Sequence, residues 1–327
     1  MSDDDKERPL VVITGVTGYL GSQVCLTFLE DGSFRVRGTV RNVNSKMSTL
    51  RKGFSDDHMA QLDLVEADLN DEASIISACK GATYIVHTAS PFHFQGDCVT
   101  PAVNGTSAIM KACSTHQDTL KLCVLTSSCA AVMGPAKEDQ AVPPAKYNES
   151  YWSNPDRPGG MMDYMKSKTL AEKTAWDYQA ANPGFDLVTI CPTFIMGPAP
   201  CGQGTSVEWL TKAMDGSKAE IPRGKNGFVD VRDVALAHLK AIKIPEAANK
   251  RFILYHEKVL LPELYGWLSK FNAKGAKVPT TLAEGQDEQG GDLVDNTRSQ
   301  QVLHIEYTPS EKTFTDHAEQ LISMGAI

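Results

Sequence analysis

The chain has 327 residues, of which 42% are hydrophobic and 22% are charged, so it has a globular composition and is long enough for one large core and a smaller lobe. It carries 32 basic and 40 acidic residues, and the net charge of −8 disfavours nucleic acids and anionic membranes as partners. The N-terminal sequence MSDDDKERP lacks the apolar core of a signal peptide, and no apolar run approaches the ~20 residues of a membrane span. We therefore expect a cytoplasmic location, with no nucleic acid and no membrane as partner.

Short apolar segments typical of strands alternate with amphipathic segments typical of helices. We predict helices over residues 19–31, 71–80 and about 161–181, and strands over residues 10–14, 34–40, 62–67, 82–87, 120–126 and 185–191. This alternation predicts an α/β protein with a Rossmann-type, doubly wound parallel sheet covered on both faces. A ligand is then expected beyond the carboxyl ends of the strands.

The eight cysteines predict neither a metal site nor a disulfide framework. None belongs to a Cys-x-x-Cys pair, and no histidine stands at zinc-like spacing. Cys25, Cys123 and Cys191 lie in apolar runs, where a free thiol serves as a small core side chain. We expect reduced thiols and no bound metal.

A glycine-rich turn, Gly15-x-x-Gly18-x-x-Gly21, joins the first strand to the first helix. Gly15 allows a tight turn, Gly18 allows backbone amides to approach a pyrophosphate, and Gly21 allows the helix to pack closely. The partial positive charge at the helix N-terminus favours the same anion. The turn therefore predicts a dinucleotide site, and a glycine-rich turn without a ligand is the alternative.

The residues after the second strand bear on the choice of nicotinamide cofactor. NAD enzymes tend to place an acidic residue there to hold the ribose 2′-hydroxyl, whereas this chain has Arg41, with Lys46 five residues on. A guanidinium suits a 2′-phosphate, so we predict NADPH/NADP+ as the cofactor, with a solvated surface charge as the alternative for Arg41. Asp68 and Leu69, after the third strand, are expected to flank the adenine, and Asp68 could equally cap the next helix.

Tyr164 and Lys168 lie one turn apart on the last predicted helix, so they share a face, and the ammonium is expected to lower the pKa of Tyr164 from its usual ~10. Thr126 and Ser128 end the fifth strand, and Pro192 ends the sixth, at the edge where the ligand is expected. These positions predict hydride transfer from the nicotinamide to a carbonyl carbon. Tyr164 protonates the developing alkoxide, Ser128 polarises it, and Lys168 holds the ribose hydroxyls.

The strand–helix alternation breaks up after residue 192, and proline and glycine become frequent from 198 to 227. We therefore predict an NADP-binding Rossmann domain over residues 1–192. Residues 193–327 are expected to form mainly a smaller, substrate-binding lobe, with a segment of about 227–240 returning to the first domain.

The chain resembles the extended short-chain dehydrogenases/reductases, in the branch of dihydroflavonol reductases, cinnamoyl-CoA reductases and yeast methylglyoxal (aldehyde) reductases. The segments HTASPF, PAVNGT, LTSSCAAV and VDVRDVALAHL are most similar to the fungal aldehyde and ketone reductases. The full set of similar segments is VVITGVTGYLGSQV (11–24), GTVR (38–41), EADL (66–69), IVHTASPFHF (85–94), PAVNGTSAIMKAC (101–113), VLTSSCAAV (124–132), YMKSKTLAEKTAW (164–176), ICPTFIMGP (190–198) and GFVDVRDVALAHL (227–239).

This resemblance implies further contacts to cofactor and substrate. The implied cofactor contacts are Thr17, Tyr19, Leu20, Thr88, Ala89, Ser90, Thr126, Tyr164, Lys168, Pro192, Ile195 and Ser206. The expected substrate pocket consists of Ser90, Phe92, Ser128, Met133, Tyr164 and Phe194. The apolar members of this pocket, and Trp209 beside them, have a plain core position as the alternative.

The resemblance implies an NADP-dependent oxidoreductase that reduces a small aldehyde, keto-aldehyde or ketone. Both a monomer and a homodimer stay open, because the surface helices of this fold serve either state. Met133 replaces the asparagine of dihydroflavonol reductases, and residues 163–168 lack the NWYCYGK run of cinnamoyl-CoA reductases, so both plant substrates are less favoured. A 3β-hydroxysteroid dehydrogenase or nucleotide-sugar epimerase on the same scaffold is disfavoured by Arg41 and HTASPF. A non-catalytic NADP-sensing protein is disfavoured because Tyr164 and Lys168 are both present.

Overall fold

A computed structural model describes residues 7–90, 97–134, 146–156, 161–201, 204–286 and 294–327. Ten strands lie within these ranges: β1 (Leu10–Thr14), β2 (Arg35–Val40), β3 (Leu62–Glu66), β4 (Tyr84–His87), β5 (Leu122–Thr126), β6 (Asp186–Pro192), β7 (Phe194–Met196), β8 (Lys225–Asp230), β9 (Arg251–Leu254) and β10 (Glu257–Leu260). Seven of them form one sheet in the order β3-β2-β1-β4-β5-β6-β9, with every neighbouring pair parallel. A second sheet has the order β10-β8-β7.

The described α-helices cover both faces of the large sheet and build the lobe beside it. They are α1 (Tyr19–Asp31), α2 (Val43–Gly53), α3 (Asp56–Gln61), α4 (Glu72–Ala78), α5 (Val99–Thr115), α6 (Asp163–Ala181), α7 (Thr205–Met214), α8 (Val231–Lys243), α9 (Leu261–Ser269), α10 (Thr297–Val302) and α11 (Ser310–Ser323). None of these helices combines the length and the apolarity that a bilayer span requires.

The central strands are buried on both faces because their side chains alternate between two cores. On β1, Val11 and Ile13 belong to the core under α1 and α8, whereas Leu10 and Val12 belong to the core under α4, α5 and α6. All five residues of this strand are buried, as parallel strands between two helical layers require. The predicted fold class, a Rossmann-type doubly wound parallel sheet, is confirmed.

The predicted strands and helices agree with the structure to within a few residues at their ends. In the part of the chain that forms the large sheet, the prediction omitted the helices α2, α3 and α5 and the edge strand β9. It also contained no second sheet, although it placed an irregular lobe in that part of the chain.

The lobe has its own aromatic core, in which Phe228 and Phe314 meet at right angles with ring centroids 4.9 Å apart. Trp209 packs against Phe194, Phe228 and Phe314, so it takes the core position rather than a pocket position. Two ion pairs of Arg232, to Asp230 and to Asp316, each 2.6 Å long, fasten α11 to the start of α8. The segment over α8 packs against α1, β5 and β6, while β8 belongs to the small sheet.

All eight cysteines are free thiols, and all except Cys129 are buried. Burial raises the pKa of Cys79 to about 12 and the pKa of Cys129 and Cys201 to about 11. These thiols therefore stay protonated at neutral pH.

Candidate active site

A cavity of about 980 Å³ lies along the carboxyl-terminal edge of the large sheet. Residues that follow β1, β2, β3, β4, β5 and β6 all contribute to its wall, as expected for a ligand site of a doubly wound fold. The cavity is of the size of small-molecule and cofactor sites.

One end of the cavity is lined by the glycine turn between β1 and α1. Gly15 has φ +74°, a left-handed conformation that glycine adopts without strain, and its carbonyl accepts a hydrogen bond of 2.9 Å from Gly18 N. A Cβ at Gly21 would stand 2.2 Å from Gly15 O, so no side chain fits there. Gly18 begins α1 without a capping side chain, which leaves backbone amides to face the cavity. This arrangement fits a pyrophosphate at the N-terminus of α1.

Two cations line the cavity beyond the end of β2. Arg41 and Lys46 both contribute to the wall, and neither forms an ion pair within the described ranges. The acidic side chain in this region, Glu66, is used to accept a hydrogen bond of 2.9 Å from Val43 N. The cationic end of the cavity therefore fits a phosphate group better than a bare ribose hydroxyl.

Asp68 and Leu69 also line the cavity, at the end of β3. Asp68 Oδ1 accepts hydrogen bonds from Asn70, while the N-cap of α4 is Asp71, whose side chain accepts from Ala73 N and Ser74 N. The alternative in which Asp68 itself caps the helix is therefore wrong.

Ser128, Tyr164 and Lys168 come together at the opposite end of the cavity. Ser128 follows β5 and caps a short 3-10 helix, Cys129–Ala131, by accepting a hydrogen bond of 3.2 Å from Ala130 N. Tyr164 is hydrogen-bonded to Ser128. Lys168 Nζ lies 6.0 Å from the ring centroid of Tyr164 and donates to Ser90 Oγ at 3.0 Å. The three groups can therefore act on one small carbonyl.

The pKa of Tyr164 is raised above its usual value, whereas the pKa of Lys168 is lowered below its usual value. Burial raises the pKa of Tyr164 to about 12, against a smaller lowering by its hydrogen bond with Ser128. Burial lowers the pKa of Lys168 to about 8, opposed by the nearby Cys191 and Glu172. The expectation of a lowered pKa for Tyr164 is thus wrong for this structure, because the removal of the phenol from water outweighs the hydrogen bond with Ser128.

The cavity brings together the predicted site residues, with one exception: Phe92 lies outside the described residues. Those on the cavity wall are Gly15, Thr17, Gly18, Tyr19, Leu20, Gly21, Arg41, Lys46, Asp68, Leu69, Thr88, Ala89, Ser90, Thr126, Ser128, Met133, Tyr164, Lys168, Pro192, Phe194, Ile195 and Ser206. Ser206 Oγ donates to the backbone carbonyl of Ile195 at 2.6 Å, which joins α7 to β7. The individual roles of these residues stay predictions.

Sequence reasoning missed several wall residues at the reaction end. Cys129, Met162 and Met165 line the cavity beside Ser128 and Tyr164, and Met162 is 63% exposed. Their signal in the sequence was only that they adjoin the predicted catalytic residues. Within the described ranges, no group of three or more metal-binding side chains is present.

Two histidines near the cavity are structural. His87 Nδ1 is hydrogen-bonded to Thr14 Oγ1 at 2.8 Å, and burial with nearby Lys168 lowers its pKa to about 3. His238 Nε2 is hydrogen-bonded to Thr126 Oγ1 at 2.8 Å, and burial lowers its pKa to about 4. Both rings are therefore neutral at physiological pH and support the ends of β1 and β5.

Comparison with known proteins agrees with this geometry. Tetraketide alpha-pyrone reductase 2 of Arabidopsis thaliana is 34% identical over 250 residues, which cover 73% of this chain and 75% of the relative. Cinnamoyl-CoA reductase 2 of Arabidopsis thaliana is 30% identical over 321 residues, which cover 97% of this chain and 93% of the relative. The crystal structure of the yeast methylglyoxal/isovaleraldehyde reductase Gre2 complexed with NADPH has a TM-score of 0.81 and 25% identity, covering 97% of this chain and 99% of that one.

The model of the NAD dependent epimerase/dehydratase family matches residues 11–254. That stretch holds the glycine turn, the cationic end of the cavity, and the serine, tyrosine and lysine. The matches confirm the resemblance to extended short-chain dehydrogenases and the predicted class, a nicotinamide-dependent oxidoreductase. The chain belongs to the NAD dependent epimerase/dehydratase family.

Proposed function

We propose that this protein is an NADPH-dependent carbonyl reductase that acts on a small aldehyde, keto-aldehyde or ketone. The observation that carries the proposal is one continuous cavity with a glycine turn and two cations at one end and Ser128, Tyr164 and Lys168 at the other. Such a cavity accommodates an extended dinucleotide with a carbonyl beside its nicotinamide.

The cofactor would be held along the edge of the sheet. The amides of the turn from Gly15 to Gly21 would bind the pyrophosphate, and Arg41 with Lys46 would bind the 2′-phosphate. Asp68 and Leu69 would flank the adenine. Lys168, oriented by Ser90, has further N–H donors for the ribose hydroxyls. NADPH binding to the yeast reductase of the same fold supports this assignment.

The chemistry that NADPH supplies when bound is a hydride for the carbonyl carbon. Ser128 would donate a hydrogen bond to the carbonyl oxygen, and Tyr164 would give that oxygen its proton. A phenol with a pKa of about 12 is fully protonated at neutral pH, which suits a proton donor for reduction. Lys168 would stabilise the phenolate that remains after the proton has left.

The side chains around the reacting groups favour an apolar substrate. Met133, Met162, Met165 and Phe194 line the cavity near Tyr164, and flexible methionines adapt to substrates of different shape. Met133 lacks a hydrogen-bonding group for a flavonoid ring, which supports a small carbonyl over a dihydroflavonol.

The function is tested by NADPH oxidation with aldehydes, diketones, ketones, dihydroflavonols and hydroxycinnamoyl thioesters. We expect turnover of the small carbonyls, and we expect Tyr164→Phe to keep NADPH affinity while kcat falls by about a thousandfold. Undiminished turnover by Tyr164→Phe would show that another group supplies the proton. A preference for the thioesters would instead favour a cinnamoyl-CoA reductase activity.

The cofactor preference is tested by charge reversal at the cationic end of the cavity. Arg41→Asp should raise KM for NADPH about a hundredfold and change KM for NADH little, because only NADPH carries the 2′-phosphate. Arg51→Asp is the matched control, since Arg51 is 61% exposed, belongs to α2 and does not line the cavity. Equal effects of Arg41→Asp on the two cofactors would contradict the phosphate role.

A further inference from the structure

A fully buried carboxylate stands one helical turn beyond Lys168 on α6. Glu172 is 1% exposed, and its oxygens accept hydrogen bonds from Ser127 Oγ at 2.7 Å and from Thr189 Oγ1 at 2.7 Å. Arg251 donates two more, from Nε at 2.7 Å and from Nη2 at 3.1 Å. Trp176 Nε1 adds a longer hydrogen bond of 3.4 Å and the Cys191 thiol lies 3.7 Å away, so donors surround both carboxylate oxygens and hold Glu172 in one orientation.

The partners of Glu172 belong to three neighbouring strands of the large sheet. Ser127 directly follows β5, Thr189 lies on β6, and Arg251 is the first residue of β9. Ser127 N also donates to the carbonyl of Ile190 at 2.7 Å. One side chain therefore ties the helix that carries Tyr164 and Lys168 to the strand end that carries Ser128.

Arg251 extends these contacts to the segment 146–156. Its Nη1 donates to the carbonyls of Glu149 and Tyr151, both at 2.7 Å. Its guanidinium carbon lies 3.7 Å from the ring centroid of Trp152, a cation–π contact in a buried setting. The guanidinium is thus bound on its edges and on one face, which fixes the segment against β9.

The same segment returns to the short 3-10 helix that follows Ser128. Ser153 Oγ donates to the carbonyl of Ala130 at 2.7 Å, and Ser153 N donates to the carbonyl of Ala131 at 2.9 Å. We call Ser127, Glu172, Arg251 and Ser153 the buried brace. Ser128 lies between the two points where the buried brace holds the chain, Ser127 on one side and Ala130 on the other.

We propose that the buried brace positions Ser128 against Tyr164, with Glu172 as the central positioning residue for carbonyl reduction. The inference rests on the reductase function proposed above, in which Ser128 and Tyr164 act on the same carbonyl oxygen. Neither Glu172 nor Arg251 lines the large cavity, so both act through Ser127 and through α6. Small displacements of a catalytic group lower the rate strongly, whereas they affect cofactor binding at the far end little.

The charge of Glu172 also acts on Lys168. The titratable groups around Lys168 are Tyr164 and Glu172 on its own helix, His87 on β4 and Cys191 on β6. His87 and Cys191 are neutral at physiological pH, since burial lowers the pKa of the first and raises the pKa of the second. The Glu172 carboxylate therefore favours the charged form of Lys168.

The decisive variant is Ser127→Ala, which removes the hydrogen bond nearest to Ser128 and leaves the Glu172–Arg251 pair intact. We expect kcat to fall about tenfold or more, with KM for the carbonyl and Kd for NADPH unchanged within about twofold. Thr308→Val is the matched control, because Thr308 Oγ1 donates to another buried carboxylate, Asp233, at 2.9 Å and does not line the cavity. It should lower Tm by a similar amount and keep the wild-type kcat per NADPH-binding site.

A second variant, Glu172→Gln, keeps the shape of the side chain and removes its charge. Because the carboxylate favours charged Lys168, its loss should start the alkaline decline of kcat at a lower pH than in the wild type. A residue with a purely structural role would leave the position of that decline unchanged.

The results separate the two proposals when Tyr164→Phe is measured in the same series. If Tyr164→Phe is inactive while Ser127→Ala keeps the wild-type kcat and Glu172→Gln keeps the wild-type pH profile, the positioning role is overturned and the reductase function stands. If Tyr164→Phe keeps the wild-type kcat, the failure lies in the proposed function itself.

Discussion

Gly21 stands where a side chain would collide with its own loop. A Cβ there would lie 2.2 Å from Gly15 O and 2.7 Å from Thr88 Oγ1. Gly266 is the opposite case, since it is exposed on α9 and a Cβ there would have no neighbour within 4 Å. The same chemical change therefore has opposite physical consequences at the two positions.

Gly21→Ala should lower the free energy of unfolding by about 2–3 kcal/mol and weaken NADPH binding, because α1 must move away from the turn. Gly266→Ala should raise the free energy of unfolding by about 0.5–1 kcal/mol, because alanine restricts the unfolded chain and favours the helix. Urea unfolding and fluorescence titration with NADPH measure both effects. A stable Gly21→Ala protein with wild-type affinity would contradict the close packing of this turn.

A site residue could be predicted from the sequence where its amino-acid type and its local position are enough to indicate its role. Gly15 and Gly21 belong to this group, because a tight turn and close packing demand glycine, and Arg41 was correctly expected at the ligand-binding edge of the sheet, where it lines the cavity. Glu172 could not be predicted, since its partners Ser127, Thr189 and Arg251 lie 45, 17 and 79 residues away in the chain. The raised pKa of Tyr164 was missed for the same reason, because it follows from tertiary burial.

At the scale of elements, α11 is held against the start of α8 by ion pairs and a hydrogen bond, in addition to the packing of its apolar face. Asp230 has a fully buried side chain that accepts from Arg232 and from Thr313 Oγ1 at 2.7 Å. Arg232 also reaches Asp316 on α11 at 2.6 Å, and it is partly exposed. Lys312 pairs with Asp316 at 2.9 Å, but its side chain is 60% exposed.

Arg232→Met should lower the free energy of unfolding by about 2–3 kcal/mol, because it leaves the buried Asp230 carboxylate without its cation. Lys312→Met removes the exposed ion pair with Asp316 within α11 and should change the free energy of unfolding by about 0.5 kcal/mol or less. Chemical denaturation of both variants measures the difference. Equal losses would mean that the apolar contacts of Phe314 alone hold the helix.

The predicted strands include apolar strands between two helical layers, such as β1 and β5, and also the partly exposed edge strand β3. β9 escaped prediction because it begins with Arg251, a charge that is buried only because Glu172 lies opposite it. α5 escaped because it contains Pro101 and Gly105, two poor helix residues. Pro101 is tolerated in the first turn, where its missing N–H donor is not needed.

At the scale of the whole molecule, the described residues include three buried neutral histidines in three different places. Burial lowers the pKa of His87 to about 3 and the pKa of His238 and His317 to about 4. In the unfolded chain each would titrate near 6.5, so between pH 6.5 and 4 the unfolded state binds more protons than the folded state. Stability therefore falls as the pH falls through this window, by up to about 1.4 kcal/mol per pH unit for each histidine.

Asp233 opposes this trend, because burial raises its pKa to about 6 and the folded state then binds the extra proton between pH 6 and 3.8. We expect Tm to decrease from pH 7 to pH 5, with a smaller decrease in His238→Gln. His58→Gln, a substitution outside the buried set, should keep the wild-type slope. A pH dependence that His238→Gln leaves unchanged would contradict this origin of acid sensitivity.

The reaction of the seven buried thiols with alkylating reagents reports local opening of the native protein. An alkylating reagent attacks a thiolate in contact with solvent, so Cys113 on the buried face of α5 and Cys123 on β5 react only when that part of the molecule opens. Cys129 instead borders the cavity and would be shielded by a bound dinucleotide. Mass spectrometry of the modified cysteines would therefore measure two quantities in one sample. Modification of Cys129 reports the occupancy of the cavity, and modification of Cys113 and Cys123 reports local opening of the core, without any introduced label.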